Sequence, residues 1–176
     1  MSPRLTLQER RLQILSKMSE LLLVKSPEEI KTAEIAYICG ISEALLYKIF
    51  KDRKEMIEIA AKITLDQSWW QIPFQDWSNW FANLIAWARA LDRQGVGHFF
   101  VLLFYCQEHF PNLAALLTQQ QSTMQSELTL HLGRDSLRFF CQIQGTLVQW
   151  TLDLSMNLNE QLGVLLRSLE RPQSKS

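Results

Sequence analysis

The fold of this chain is decided by residues 32–57, which read TAEIAYICGISEALLYKIFKDRKEMI. Apolar residues at helical spacing lead up to Gly40, which falls where a helix must stop and where the backbone needs the positive φ that glycine adopts without penalty. Ser42 then stands where its hydroxyl can cap the amides of a second helix. The stretch therefore predicts two short helices joined by a tight turn, and the second helix would protrude far enough to enter a DNA major groove.

Helices are also predicted on both sides of this pair. After it, Asp52-Arg53-Lys54-Glu55 has the pattern of a capping box, in which residues at a helix start satisfy each other's free groups. We therefore expect a further helix from about Arg53. Before the pair, one apolar face of a first helix is marked by Ile14, Leu15, Met18, Leu21 and Leu22.

Three groups of residues carry a family resemblance: Ile35-Ala36, Gly40-Ile41-Ser42, and Leu46-Tyr47-Lys48-Ile49-Phe50 with Asp52-Arg53. Together they resemble the amino-terminal DNA-binding segment of the TetR (tetracycline-repressor-like) family. The resemblance extends from Ile14-Leu15 to about Ala60. It implies an amino-terminal three-helix helix-turn-helix domain, followed by a helical domain that binds a ligand and forms a dimer.

The resemblance also implies which side chains touch DNA. Thr32 would contact a phosphate near the amino end of the second helix, and Arg53 would do so from the amino end of the fourth. Tyr47 and Lys48 would bind the backbone on either side of the groove. Hydroxyls, basic side chains and helix amino ends are common phosphate partners. The full predicted set is Thr32, Ala33, Ser42, Glu43, Ala44, Leu45, Tyr47, Lys48, Lys51, Arg53 and Lys54.

The sequence departs from the family pattern near the predicted base contacts. Glu43, Ala44 and Leu45 would lie nearest the base edges, and Leu45 stands where the family often has a threonine. Glu43 places a carboxylate there that can accept from cytosine N4 but repels neighbouring phosphates. Alternatives stay open for this segment, because aromatic residues at helical spacing, Tyr47 and Phe50, also suit a core. Its basic residues also suit an ordinary solvated face.

Composition places the whole chain in the all-α class. It has 176 residues, 47% of them hydrophobic, which is enough for a sizeable core. Only 6 Gly and 5 Pro are present, and no stretch alternates between apolar and polar residues as a strand does. We predict a helix-turn-helix DNA-binding domain over residues 1–62 and a helical effector-binding and dimerisation domain over residues 63–176, with about nine helices in all.

Charge is balanced over the chain, with 18 basic and 18 acidic residues. Residues 1–62 carry 11 Lys and Arg against 9 Asp and Glu, and the remainder carries 7 against 9. Phosphate binding needs a local basic face rather than a high global charge. The neutral total therefore weakens the DNA-binding hypothesis without removing it.

Several features predict a soluble, cytoplasmic protein. The start lacks the apolar core of a signal peptide, and the longest apolar run, Phe99 to Cys106, is too short to span a bilayer. Cys39, Cys106 and Cys141 are an odd number of cysteines within apolar helical sequence, as suits reduced thiols.

Helical patterns fill the second half of the chain. An aromatic stripe from Trp77 to Leu91 predicts a long helix, followed by a flexible link at Gln94–Gly97 and a buried helix at 98–110. Further on, a helix at 134–156 is apolar on two faces, and the last helix, after Asn157, has a leucine stripe. This surplus predicts a homodimer through the last two helices, which the resemblance also implies. The alternative is a monomer with a large core.

An aromatic-rich interior can hold a small apolar effector or can simply be packed. Cys106 and His109 form a Cys-x-x-His pair, but even an open zinc site needs three protein ligands, and no third stands in register. No Gly-rich phosphate loop, paired carboxylates or nucleophile motif is present, so we expect no metal, cofactor or enzymatic activity. The candidates around a ligand cavity are Trp80, Trp87, Phe99, Phe104, Tyr105 and His109.

Two main hypotheses for function follow. The first is a dimeric DNA-binding transcriptional regulator, a repressor that binds a palindromic operator in double-stranded DNA and is released by a small-molecule effector. The alternative is a TetR-like DNA-binding factor that acts through a protein partner rather than a metabolite. A third hypothesis, a small helical enzyme, would need a polar site around Cys106 and His109.

Overall fold

The computed structural model describes residues 5–74 and 76–170, and over these residues the chain is helical with no β-strand. The predicted all-α class is therefore confirmed. Eight α-helices form within the described residues, where the sequence predicted about nine. They are α1 (Leu7–Leu22), α2 (Thr32–Cys39), α3 (Glu43–Ile49), α4 (Arg53–Leu65), α5 (Trp77–His109), α6 (Pro111–Leu132), α7 (Ser136–Leu152) and α8 (Leu158–Glu170), with short 3-10 helices at Trp69–Gln71 and Gly133–Asp135.

The chain divides into two compact units. One contains the described residues up to Gln67 together with His98–Ala114, and the other contains Ser68–Gly97 and the described residues from Ala115 onward. The sequence predicted a single boundary after Lys62. The division is discontinuous instead, because the later part of α5 packs with the amino-terminal helices.

The first unit is built on α1, whose start is fixed by a reciprocal pair of hydrogen bonds. The hydroxyl of Thr6 accepts from the Glu9 backbone N–H at 3.2 Å, and the Glu9 carboxylate accepts from the Thr6 N–H at 2.8 Å. Ser19 donates from its hydroxyl to the Ala60 carbonyl at 3.2 Å, which ties α1 to α4. The predicted apolar face of α1 is largely confirmed, since Ile14, Leu15, Met18 and Leu22 are buried.

The second unit has an aromatic core. The ring of Trp69 lies 6.0 Å from Trp80 in an edge-to-face arrangement and 5.6 Å from Phe140. Trp77 packs edge-to-face on Phe139 at 5.2 Å. Such aromatic pairs add roughly 0.5–1.5 kcal/mol each beyond the area they bury. Most aromatic residues of the stripe predicted from the sequence therefore pack against other rings in the core of this unit.

Helix α5 is broken at Asp92 rather than at the predicted link. Residues Gln94–Gly97 are helical, whereas Asp92 has φ 57° and ψ −176°, outside helical geometry. Its carboxylate accepts from the Gly95 backbone N–H at 3.0 Å. Asp92 therefore begins the later part of α5 in the way that an N-cap residue does.

Arg93 fixes the segment between α7 and α8. Its guanidinium donates to the carbonyls of Trp150, Asp153 and Met156, the last at 2.8 Å, and lies 4.9 Å from the centre of the Trp150 ring. The bond to Trp150 satisfies a carbonyl in the last turn of α7 that the helix leaves without a partner, and the bonds to Asp153 and Met156 hold the link that follows. None of the helices in the described ranges is both long enough and apolar enough to cross a membrane.

Candidate nucleic-acid interface

The turn between α2 and α3 has the geometry that the sequence predicted. Gly40 adopts the left-handed conformation, with φ 63° and ψ 38°. The Ile41 N–H donates to the Ala36 carbonyl at 3.0 Å, which closes the end of α2 as in a Schellman motif. The Ser42 hydroxyl accepts from the Leu45 N–H at 3.3 Å and caps α3. The chain direction is therefore set by one backbone hydrogen bond and one side-chain cap within a few residues.

One face of α3 is directed to solvent. Ala44, Tyr47 and Lys48 recur at helical spacing and are exposed, Tyr47 with 52% of its surface, and Lys51 is exposed just after the helix ends at Ile49. The opposite side holds the buried Leu46, followed by the buried Phe50. Tyr47 is thus not a core residue, and Phe50 is. The exposed face presents the Tyr47 hydroxyl and the Lys48 ammonium, and Lys51 adds a second exposed ammonium after the helix; these are phosphate-binding groups.

The end of α3 is held by Arg11 from α1. The Arg11 guanidinium donates to the Ile49 carbonyl at 2.6 Å and to the Glu55 carboxylate at 3.0 Å, and lies 4.4 Å from the centre of the Phe50 ring. Glu55 also accepts from the Lys51 N–H at 2.6 Å. The Lys51 amide and then Arg11 lower the pKa of Glu55. This network fixes the orientation of α3 relative to α1 and α4.

Arg53, a predicted phosphate contact, is directed to backbone carbonyls. Its Nε donates to the Ile30 carbonyl at 2.8 Å, and Nη2 donates to the carbonyls of Pro27 and Glu28. The planar guanidinium can serve several acceptors at once, and here it organises the loop before α2. Its role in the structure is to position α2, so we leave it out of the candidate interface.

Thr32, a second predicted phosphate contact, has a side-chain partner. Its hydroxyl donates to the Glu43 carboxylate at 2.7 Å. Thr32 and Glu43 are the first residues of α2 and α3, so this bond joins the amino ends of the two helices. The family resemblance predicts that both residues lie near DNA, but nothing in the sequence predicts the hydrogen bond between them.

The remaining predicted DNA-binding residues fall into two groups. Ala33 and Ser42 are exposed, whereas Leu45 is only half exposed. Lys54 is exposed, but its ammonium lies 5.6 Å from the centre of the Phe110 ring in the same compact unit. Ala33 on α2, Ser42 and Leu45 are therefore accessible to solvent, whereas the Lys54 ammonium contacts an aromatic ring.

Sequence reasoning missed Tyr37 and Lys31. Tyr37 on α2 is 86% exposed, and Lys31 immediately precedes α2 and is also exposed. The exposure of Tyr37 could have been predicted from helical spacing, because Tyr37 lies off the buried face formed by Ile35, Ala36 and Cys39. In the part of the chain that the structure describes, Lys31 forms no ion pair with a carboxylate, and neither do the lysines of α3 and its end.

No family model matches this chain, and no curated protein matches it. The resemblance to TetR regulators thus depends on the residues quoted above, and membership of that family stays a prediction.

The six predicted ligand-binding residues do not gather within one unit. Trp80 and Trp87 belong to the unit with α7 and α8, and the other four belong to the unit with α1 to α4. Trp80 is buried, and Phe104 is 70% exposed. The rings of Tyr105 and His109 stack edge-to-face at 4.2 Å, and burial is the main cause of a raised pKa for the Tyr105 hydroxyl.

Cys106 is fully buried, and burial raises the pKa of its thiol to about 12. The thiol is therefore protonated at neutral pH, whereas nucleophilic and metal-binding cysteines act as thiolates. Among the described residues, no group of three or more His, Cys, Asp or Glu side chains is arranged so that it could hold a metal ion.

A groove of about 390 Å³ lies in the second unit, between the 3-10 helix at Trp69–Gln71 and α6. The volume is within the usual range for small-molecule sites. The carbonyl oxygen of the Gln120 side chain is buried there, and no donor reaches it within the described residues. The groove has one acidic residue and no basic one; its lining includes Trp70, Ile72, Leu116, Gln120, Met124 and Glu127.

Proposed function

We propose that this protein is a DNA-binding transcriptional regulator that works as a homodimer and acts as a repressor. The observation that carries the proposal is the exposed face of α3, which presents Tyr47 and Lys48 after a tight, glycine-ended turn and is followed by the exposed Lys51. A short helix presented in this way suits the major groove, where phosphate contacts position the protein and base contacts give specificity.

Each group on this face has a physical role in the proposal. Tyr47 donates its hydroxyl to a phosphate, and Lys48 and Lys51 neutralise phosphates on the flanking backbone. Ala44 has a short side chain, so the helix can approach the base edges. Arg11 and Arg53 do not touch DNA; through their carbonyl partners they hold α3 and α2 in place.

A homodimer is proposed because α7 carries an apolar face that the described residues leave exposed. Its exposed residues recur every three or four positions, so they share one side of the helix. Two of them are small and permit close helix contact. Val164 on α8 is half exposed as well. Two copies would pair through α7 and α8 about a two-fold axis. The exposed residues of α7 on this face are Leu137, Cys141, Gly145, Val148 and Leu152.

Pairing matters for operator binding. A single α3 contacts few base pairs, whereas two copies placed roughly one helical turn of DNA apart, about 34 Å, bind both halves of a palindrome. An effector that changes this separation lowers operator affinity by shifting the population of conformations.

We further propose that the effector binds the groove beside Gln120 instead of the six predicted aromatic residues. The buried Gln120 carbonyl needs a donor, so the ligand carries an N–H or O–H group. Glu127 and the absence of a basic lining residue favour a neutral or cationic molecule over an anion. Trp70 and Met124 supply apolar contact.

One observation favours the alternative, a DNA-binding factor that acts through a protein partner. Val101 and Phe104 are exposed on the later part of α5, three residues apart, and neither belongs to the proposed DNA or dimer surfaces. An exposed aromatic residue of this kind is a common anchor in protein interfaces.

Fluorescence anisotropy with DNA from upstream of the protein's own coding sequence tests the proposed function. Lys48→Ala should reduce the slope of log affinity against log salt concentration by about 1, because one phosphate contact is lost. Lys17→Ala is the matched control, since Lys17 is a surface lysine of the same unit that pairs with Glu20. Absence of salt-sensitive binding to every fragment would refute the proposal.

A further inference from the structure

The hydrogen bond between Thr32 and Glu43 has consequences for DNA recognition. It joins the first residue of α2 to the first residue of α3 at 2.7 Å, on the side of the molecule where α3 is exposed. Glu43 itself is exposed, and Thr32 is half-buried. This bond therefore favours one orientation of the carboxylate, which remains open to an outside donor.

Thr32 cannot serve a phosphate while this bond exists. A hydroxyl has one proton to donate, and that of Thr32 is given to the Glu43 carboxylate. The negative charge of Glu43 also opposes a phosphate at the same place. In the proposed complex, Tyr47, Lys48 and Lys51 would therefore contact the DNA phosphates, and Thr32 would act as a positioning residue for Glu43.

The charge of Glu43 restricts which bases it could contact. An ionised carboxylate only accepts hydrogen bonds, so in the major groove it needs a base that offers a donor. Guanine and the thymine O4 offer acceptors, which repel it. Adenine offers N6–H beside the N7 acceptor, whereas cytosine offers N4–H without an adjacent acceptor on the same base. Cytosine is therefore the best partner.

We propose that Glu43, oriented by Thr32, is a specificity-determining residue that selects cytosine at one position of each operator half-site. The inference rests on the proposed DNA-binding function. It assigns to this carboxylate a discrimination of roughly ten-fold against the other bases at that position, as expected of one good base contact.

Selection from a randomised duplex library, followed by anisotropy on the enriched sites, tests the inference. The wild-type protein should enrich one cytosine per half-site. Glu43→Gln should change the preference to adenine, because an amide offers both the donor and the acceptor that N7 and N6 require. Glu43→Ala should lose the preference and bind as tightly or more tightly, since repulsion of phosphates disappears.

Two variants of Thr32 separate positioning from simple structural support. Thr32→Val removes the hydroxyl with little change in shape, and should weaken the cytosine preference several-fold while leaving the salt dependence of binding unchanged. Thr32→Ser keeps the hydroxyl and should restore the preference. Thermal unfolding of each variant checks that the fold is intact.

The outcomes distinguish the inference from the function on which it rests. Binding that is sequence-specific but keeps the same base preference in Glu43→Ala overturns the inference alone. An equal gain in affinity for all sequences in Glu43→Ala also overturns it, because the carboxylate then only repels. Failure of every variant and of the wild type to bind any duplex overturns both.

Discussion

Gly40 sets the path of the chain between α2 and α3 through its backbone conformation alone. An added Cβ would meet no atom within 4 Å, so Gly40→Ala creates no clash. The left-handed conformation nevertheless costs an alanine about 1 kcal/mol. We expect Gly40→Ala to lower the free energy of unfolding by about that amount, measured by urea denaturation, and to weaken DNA binding.

Gly97→Ala is the matched control for this substitution. Gly97 lies in helical geometry within α5, where an added Cβ would come no closer than 3.9 Å to Thr151. Alanine is a better helix former than glycine by roughly 0.5–1 kcal/mol, so this variant should gain stability. A loss of similar size in both variants would contradict the explanation by backbone conformation.

At the residue scale, local chemistry was predictable and long-range pairing was not. Gly40 and Ser42 act over three or four residues, so their roles follow from the sequence itself. Thr32 and Glu43 pair across eleven positions, and Arg53 reaches carbonyls more than twenty positions away. Such partners depend on how helices pack, which the spacing of residues does not determine.

At the scale of elements, Glu55 connects α1, α3 and α4 and should make stability depend on pH. The Lys51 amide and Arg11 lower its pKa from the usual 4.5. A carboxyl group with a lowered pKa in the folded state stabilises above its unfolded pKa, and this stability is lost as pH falls through the folded value. We expect Glu55→Gln to lose about 1 kcal/mol at neutral pH.

The test is the melting temperature as a function of pH. Below about pH 4.5 the wild-type protein should lose more stability than Glu55→Gln, so the two curves converge in acid. Glu108→Gln serves as the control, because Glu108 is exposed and forms no hydrogen bond or ion pair within the described ranges. Parallel curves for Glu55→Gln and the wild type would contradict the role assigned to Glu55.

Asp92 shows why an element boundary was misplaced. Two glycines at Gly95 and Gly97 suggested a link, but a helix tolerates each for about 1 kcal/mol. The carboxylate of Asp92 instead captures the Gly95 N–H and restarts the helix there. Helix existence was thus predictable from periodicity, whereas the break depended on one side-chain hydrogen bond.

Substitution of Asp92 separates the hydrogen bond from the backbone conformation. Asp92→Gly and Asp92→Ala both lose the carboxylate, but only glycine tolerates φ 57° with ψ −176° without strain. We expect the alanine variant to be less stable than the glycine variant by about 1–2 kcal/mol in urea denaturation. Equal stabilities would show that this backbone conformation is not maintained in solution.

At the scale of the whole molecule, the proposed dimer gives a direct prediction. Leu152 is 75% exposed at the end of α7, so Leu152→Glu should leave the fold of the chain intact. In the dimer each copy would bury a charge in place of a leucine, and we expect the dimer dissociation constant to rise at least about 100-fold. Sedimentation velocity over a range of concentrations measures this change.

Leu12→Glu is the control for Leu152→Glu. Leu12 is a similarly exposed leucine on α1 and is not part of the proposed dimer face, so its variant should sediment like the wild type. Affinity for a palindrome should fall in Leu152→Glu only. A wild-type protein that stays monomeric at all concentrations would contradict the proposed dimer.

The organisation of the whole chain was only partly predictable. Composition and periodicity were sufficient to predict the all-α class, because both are local properties of each helical segment. The return of His98–Ala114 to the amino-terminal unit was not predicted. A change in composition after Lys62 marks a difference between segments, but the assignment of α5 to two units depends on contacts between residues that are distant in sequence.

The exposure of Cys141 on α7 has a practical consequence. Cys39 and Cys106 are buried, so a thiol-reactive dye would modify each polypeptide at a single atom, the Cys141 sulfur. If two copies cover that face, the rate of labelling should slow as protein concentration rises. The labelling rate of Cys141 in the wild-type protein would therefore report self-association without any substitution.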